Sequence, residues 1–181
     1  MAVFEFGRII PGLKIHGKDA PYRVLNERDA RAAAGIMFVL GVFAFVNALV
    51  LREFLYVYTF VVLFFLEFGI RIFVNPSFAP FYALGSLMVK NQISEYTGAP
   101  QKRFAWALGF GLATVMMVGL YAFNIRGLLP LSICMLCLLL LWLESSFGIC
   151  VGCKMYWFAV KHKMIKEPEH RPACPGGVCK L

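Results

Sequence analysis

The sequence predicts an all-α, polytopic membrane protein: four transmembrane helices in two antiparallel hairpins, plus an interfacial or re-entrant helix near residues 78–94. Three observations carry this. The 181-residue chain is 60% hydrophobic and only 15% charged, against roughly 45–50% and about 25% in soluble domains. Four apolar stretches each approach the ~20 residues a helix needs to cross ~30 Å of hydrocarbon. Lys and Arg gather almost entirely on one side of those stretches. Such hydrophobicity excludes a disordered chain, and the length excludes a small disulfide-stapled secreted module.

Residues 1–32 read as an N-terminal arm. Pro11, Gly12, Gly17 and Pro21 break it up, and an irregular path along the membrane surface is expected. Asn26 is a suitable N-cap, with Asp29 supplying an acid to the first turn of the helix that follows. The spans run approximately Ala33–Leu51, Phe54–Val74, Phe104–Phe123 and Pro130–Val151. Unbroken apolar runs without period-2 alternation are helices, not barrel strands. The first does not read as a cleavable signal, because 32 mostly polar residues precede it and a second span follows at once. Arg52-Glu53 and Asn124–Leu129 leave room only for tight turns, so spans one and two, and spans three and four, form hairpins. Asn75-Pro76 ends span two. The apolar segment from Phe78 is too short to cross and is read as a surface or re-entrant helix starting near Pro80, closed by Gly98-Ala99-Pro100. Residues 33–160 thus form the membrane domain, and 161–181 a tail.

Fifteen of the 18 Lys and Arg lie in the arm, the 75–103 segment and the stretch from Lys154 to the end of the chain; two lie in the short turns, and Arg71 lies within a span. The positive-inside rule places both termini in the cytoplasm. The net charge of +8 is then mostly topology and attraction to anionic headgroups. No soluble basic face with stacking aromatics is present, so no nucleic-acid partner is expected; the bilayer is the expected partner. Ala105, Gly109 and Ala113, and Ala44 and Ala48, recur at four-residue spacing and mark close helix contacts.

Two acids lie deep in spans. Glu67 and Glu144 stand at roughly 20 and 21 Å from the outer surface by the 1.5 Å rise per residue, and Arg71 follows Glu67 by one helical turn. Charge in hydrocarbon costs ~2.5–3.5 kcal/mol per group on insertion scales. The structural reading is a cluster in which Arg71 bridges Glu67 and Glu144. The functional reading is an ion, proton or substrate site, with the excess carboxylate neutralised by desolvation.

The six cysteines form three pairs. Cys134 and Cys137 lie in span four, where small apolar filling is the plain reading. Cys150 and Cys153 close that span, and Cys174 and Cys179 close the chain. The last four read C-x2-C-x20-C-x4-C, a spacing that suits a four-thiolate zinc site. They equally suit redox or sulfur-carrying thiols on the reducing side of the membrane, or inert filling. On an unbroken helix at ~100° per residue, Cys150 stands about 120° from Glu144 and Cys153 nearly opposite. Only a break near Gly148 or Gly152 would unite them. His16, His162 and His170 are isolated, His170 being a spare ligand candidate beside Cys174. No Ser-His-Asp order, phosphate-binding glycine loop or HExxH pattern occurs.

The chain resembles a bacterial integral-membrane family of unknown function, DUF4395. The resemblance runs through Leu25-Asn26-Glu27 and Arg31, Leu66-Glu67-Phe68-Gly69-Ile70-Arg71, Ser77-Phe78-Ala79-Pro80, Ala99-Pro100-Gln101-Lys102-Arg103-Phe104-Ala105, and Leu143 to Tyr156 with its Cys150-Val151-Gly152-Cys153. The family usually has aspartate where this chain has Glu67. The terminal Cys-Pro-Gly-Gly-Val-Cys looks like a tail found on some members. The resemblance implies a membrane fold in the bacterial inner membrane and singles out Glu67, Arg71, Glu144, Cys150 and Cys153. It also implies company with rhodanese- and thioredoxin-like proteins. The expected function is thiol redox or reactive-sulfur handling at the cytoplasmic face by Cys150, Cys153, Cys174 and Cys179. Two alternatives stand beside it: a non-enzymatic membrane subunit or small transporter with those four cysteines on zinc, and a quinone-linked thiol oxidase using Cys134 and Cys137.

Overall fold

The computed structural model describes residues 6–15, 18–166, 168 and 170. Four long apolar helices dominate it. The first, α1 (Glu27–Val46), continues through a wider π-turn, Asn47–Leu51. The second is α2 (Leu55–Phe73). The third, α4 (Ala99–Met117), also ends in a π-turn, Val118–Ala122, and the fourth is α5 (Leu128–Phe147). Two shorter helices complete the set: α3 (Pro80–Met88) between α2 and α4, and α6 (Val151–Lys161) after α5. Only 22–33% of each long helix's most apolar window is buried inside the protein. The remainder, including Val39, Phe43, Leu55, Phe73, Val115 and Leu128, faces outward. Apolar surface on that scale requires hydrocarbon around it, so the chain is a membrane protein of the predicted class.

The starts of α1 and α4 and the ends of α2 and α5 meet at one end of the bundle. As anticipated, Asn26 caps α1: its side chain accepts the Arg28 N–H at 3.3 Å, and its amide donates to Asp29 at 2.8 Å. The arm is more ordered than an irregular surface strand. β1 (Lys14–Ile15) pairs antiparallel with β2 (Lys18–Asp19), and β3 (Val24–Asn26) pairs antiparallel with β4 (Tyr96–Gly98). The second ladder ties the entry of α1 to the entry of α4. It also corrects the reading of Gly98-Ala99-Pro100 as the end of the short surface helix. Gly98 is the N-cap and Pro100 occupies the first turn of α4, where its fixed φ and missing N–H suit a helix start.

α1 packs chiefly on α3 and α5, α2 on α4, and α4 on α6. The four-residue small-side-chain rows serve these contacts: Ala44, Ala48 and Ala113 are buried, and Phe68 lies against Gly109. Gly85 on α3 is packed on backbone: a Cβ there would stand 2.7 Å from the Ala33 backbone nitrogen. Backbone cannot yield as a side-chain tip can. Gly85→Ala is expected to destabilise by about 1–3 kcal/mol, read as earlier thermal unfolding in detergent; an unchanged transition would mean that α3 shifts freely on α1.

Candidate functional site

Two separate ionic clusters occupy the common end of the bundle. The first joins Glu67 and Arg71 on one face of α2. Arg71 donates to Glu67 Oε1 from Nε at 2.9 Å and from Nη2 at 2.6 Å. Both residues are essentially inaccessible. Glu67 also accepts the backbone N–H groups of Phe81 and Tyr82, each at 2.9 Å. These are unbonded donors at the start of α3, so the carboxylate caps that helix from outside and meets its positive dipole end. The guanidinium lies 5.1–5.3 Å from the ring centroids of Phe68, Tyr82 and Trp106. Burial pushes the Tyr82 phenol up, which keeps it neutral beside the pair. This cluster is fully satisfied and built to hold α3.

The second cluster corrects the expectation that Arg71 bridges Glu67 and Glu144. Glu144 pairs with Lys102, whose Nζ lies 2.7 Å from Glu144 Oε1 and 2.9 Å from Glu27 Oε1. Lys102 is completely buried and Glu27 almost so. The reason is topological. The β3–β4 ladder sets the first turns of α1 and α4 side by side, opposite the last turn of α5. Lys102 counts with the charges that orient the chain, yet it points inward. One ammonium faces two carboxylates, and Glu27 Oε2 is buried without a hydrogen-bond partner among the described residues. That oxygen is available to a proton.

The thiols join this second cluster through a helix break. Residue Gly148 ends α5 at φ 66°, a left-handed conformation that glycine adopts without Cβ strain. Its N–H reaches the Glu144 carbonyl at 3.1 Å, and the Ile149 N–H reaches that of Leu143 at 3.0 Å. Arg31 on α1 donates to the carbonyls of Ser145 and Ser146, and a Cβ on Gly148 would stand 3.3 Å from its Nη1; the guanidinium satisfies exposed C-terminal acceptors. The chain then turns, and Cys150 becomes the N-cap of α6. Span four therefore stops at Phe147 rather than Val151, and Cys150 and Cys153 do not share a helix with Glu144.

Cys150 Sγ accepts the Cys153 N–H at 3.4 Å, and the Cys153 thiol donates to Cys150 Sγ across 2.7 Å. Both are free thiols. The contact to Cys150, together with burial, pushes the Cys153 thiol well up from the ordinary range. Negative charge on Cys150 Sγ would face the helix N-terminus, and the Lys102 ammonium is near enough to feel both sulfurs. α6 is itself locked in place. Trp157 Nε1 donates to buried Gln101 Oε1 at 2.9 Å, and Gly152 lies on Ala105 of α4.

Beside this pair an apolar cavity of about 390 Å³ runs between α4 and α5. Glu144 and Cys150 stand at one end and Cys137 toward the other. Cys134 and Cys137 are half-buried free thiols in α5, next to apolar side chains such as Phe60 and Leu112. Among the described residues no group of three or more His, Cys, Asp or Glu is arranged to hold a metal. Cys174 and Cys179 lie outside the described residues, as does His16, so the four-thiolate arrangement has only its first pair in view. His162 is exposed, its ring 4.3 Å from that of Phe158.

Sequence reasoning missed Glu27 and Lys102. A signal existed: a lysine in the first turn of a helix opposes the dipole and calls for acidic partners. A family model described as a domain of unknown function, DUF4395, matches residues 25–161. No curated protein and no solved structure matches the chain.

Proposed function

This chain belongs to the DUF4395 family, and from that premise we propose that it is a membrane-embedded thiol–disulfide protein whose working pair is Cys150 and Cys153. The observation that carries the reading is the 2.7 Å approach of the two sulfurs at the N-cap of α6, beside a buried lysine–carboxylate cluster. Two Sγ–H groups give up two protons and two electrons, and one Sγ–Sγ bond forms. The electrons and protons pass to an acceptor, or return from a donor dithiol by exchange through a mixed disulfide. Cys150 is the attacking sulfur, because the Cys153 thiol is held protonated; Cys153 resolves. The Lys102–Glu27–Glu144 cluster positions charge beside Cys150 and offers Glu27 Oε2 and Glu144 as proton acceptors. The Lys and Arg distribution favours the cytoplasmic face of a bacterial inner membrane as the location, with both termini on that side. There Cys174 and Cys179, or a thioredoxin- or rhodanese-like protein, are the exchange partners this reading calls for.

Thiol trapping tests it. Purified protein treated with a mild oxidant should lose two maleimide-reactive thiols and regain them with reductant, and Cys153→Ser should abolish the effect. One tightly bound zinc per chain, lost on Cys174→Ser, with no reversible disulfide, would overturn the proposal in favour of the zinc clamp.

The raised Cys153 thiol gives a second expectation. In the wild type its thiolate is scarce at neutral pH, so its alkylation should accelerate only above the ordinary thiol range. Cys150→Ala removes the leading cause of that rise. The alkylation profile of Cys153 should then move to lower pH, as read by mass spectrometry of the labelled peptide; an unmoved profile would refute the thiol–thiol contact.

A further inference from the structure

We infer that the cavity between α4 and α5 is the binding site of a lipid-soluble quinone that accepts electrons from the Cys150–Cys153 dithiol. The inference rests on the thiol–disulfide reading and names its electron acceptor.

Cys150 and Cys153 are 6% and 1% exposed, so an aqueous exchange partner meets only the edge of Cys150. Cys150 does face the cavity. The cavity is bounded by the membrane-spanning helices α2, α4 and α5 and by α6, and its lining residues Leu136 and Met155 are exposed, which opens it toward hydrocarbon. Whatever enters from there must be apolar along most of its length. From Cys137 to Glu144 the cavity follows α5 for about 10 Å by the helical rise, room for a substituted ring and the first part of an isoprenoid chain.

The two ends of the cavity differ. Leu136, Cys137 and Leu112 leave one end apolar, and Glu144 with Cys150 makes the other polar. An acyl chain would have no use for a thiol and a carboxylate at its buried tip. A quinone presents a carbonyl oxygen there and has the two-electron capacity that dithiol oxidation demands. The reaction balances. Two Sγ–H bonds break, one Sγ–Sγ bond forms, two electrons enter the ring, and two protons end on its two oxygens. The oxygen nearer Glu144 takes its proton by way of that carboxylate, whose partner Lys102 holds it in place at 2.7 Å. The quinone expected from the sequence at Cys134 and Cys137 would instead meet the pair at the α6 N-terminus.

The experiment uses full-length protein in quinone-free nanodiscs, reduced and freed of reductant, with decylubiquinone as the probe because its ring is fully substituted and thiols cannot add to it. One quinone should be reduced per chain while Cys150 and Cys153 become a disulfide. Leu108→Trp and Leu140→Trp, on opposite walls, should each slow quinol formation about tenfold or more, as loss of a positioned reactant does. Oxidation of the same variants by diamide, a small soluble oxidant, should stay near the wild-type rate and show that they are folded. If diamide closes the disulfide but decylubiquinone is not reduced, or if both tryptophan variants reduce it at the wild-type rate, the quinone site is wrong and the thiol reading stands. Tryptophan quenching by brominated phospholipid, without quinone reduction, would assign the cavity to an acyl chain and equally overturn the inference. If diamide forms no Cys150–Cys153 bond either, the thiol reading itself falls.

Discussion

Lys102→Met should destabilise the bundle by about 3–5 kcal/mol, the cost of stranding a buried charge without its partner. The lysine is wholly buried, and its ammonium is the ionic partner of both Glu27 and Glu144. Removing it leaves two carboxylates together at the junction of three helices, and Glu27 Oε2 already has no hydrogen-bond partner among the described residues. The loss should appear as a large drop in thermal stability in detergent. Adding Glu27→Gln and Glu144→Gln should recover most of it, because replacing a whole buried ionic group with neutral residues is far cheaper than breaking one. A single variant of wild-type stability would show that the cluster contributes nothing to holding α1, α4 and α5 together. The triple variant separates folding from chemistry: if the thiol reading is right, it should fold and still lose the proton acceptors beside Cys150.

Glu67→Ala should be comparably severe, also about 3–5 kcal/mol. The substitution strands the buried Arg71 guanidinium and, at the same time, removes the acceptor for the Phe81 and Tyr82 N–H groups. The defect should be local to α3, so hydrogen exchange there ought to accelerate ahead of global unfolding. Glu67→Gln keeps an oxygen for the helix terminus and loses only charge, so about 1.5–3 kcal/mol is expected, the scale of a hydrogen bond to a charged group. Equal behaviour of the two variants would mean that Glu67 does not cap α3.

Both clusters include a residue the sequence flags, but only one arrangement is local. Glu67 and Arg71 sit four apart, and helical periodicity alone brings them together. Lys102 meets Glu27 and Glu144 across 75 and 42 residues, and nothing in hydropathy encodes that meeting. The inner thiols show the same division. Their pairing is visible as C-x-x-C, and a glycine break is foreseeable as the one way to bring them near Glu144. Whether Gly148 in fact turns the chain depends on Arg31, 117 positions away, which satisfies the carbonyls that the break exposes.

What this sequence determined unaided is what neighbouring residues and the solvent decide between them: four spans, two tight turns, the Asn26 cap, the small-residue contacts and the Glu67–Arg71 pair. Each follows from burying apolar surface in hydrocarbon and from the helical repeat, forces that act within one or two turns. The tertiary structure alone decided that Lys102 turns inward, that span four stops at Phe147, and that Cys150 heads a new helix beside Glu144 and an apolar cavity. Those outcomes depend on pairing charges from distant segments in a medium where none can stay unpaired cheaply, and only the assembled bundle specifies which partner each one finds.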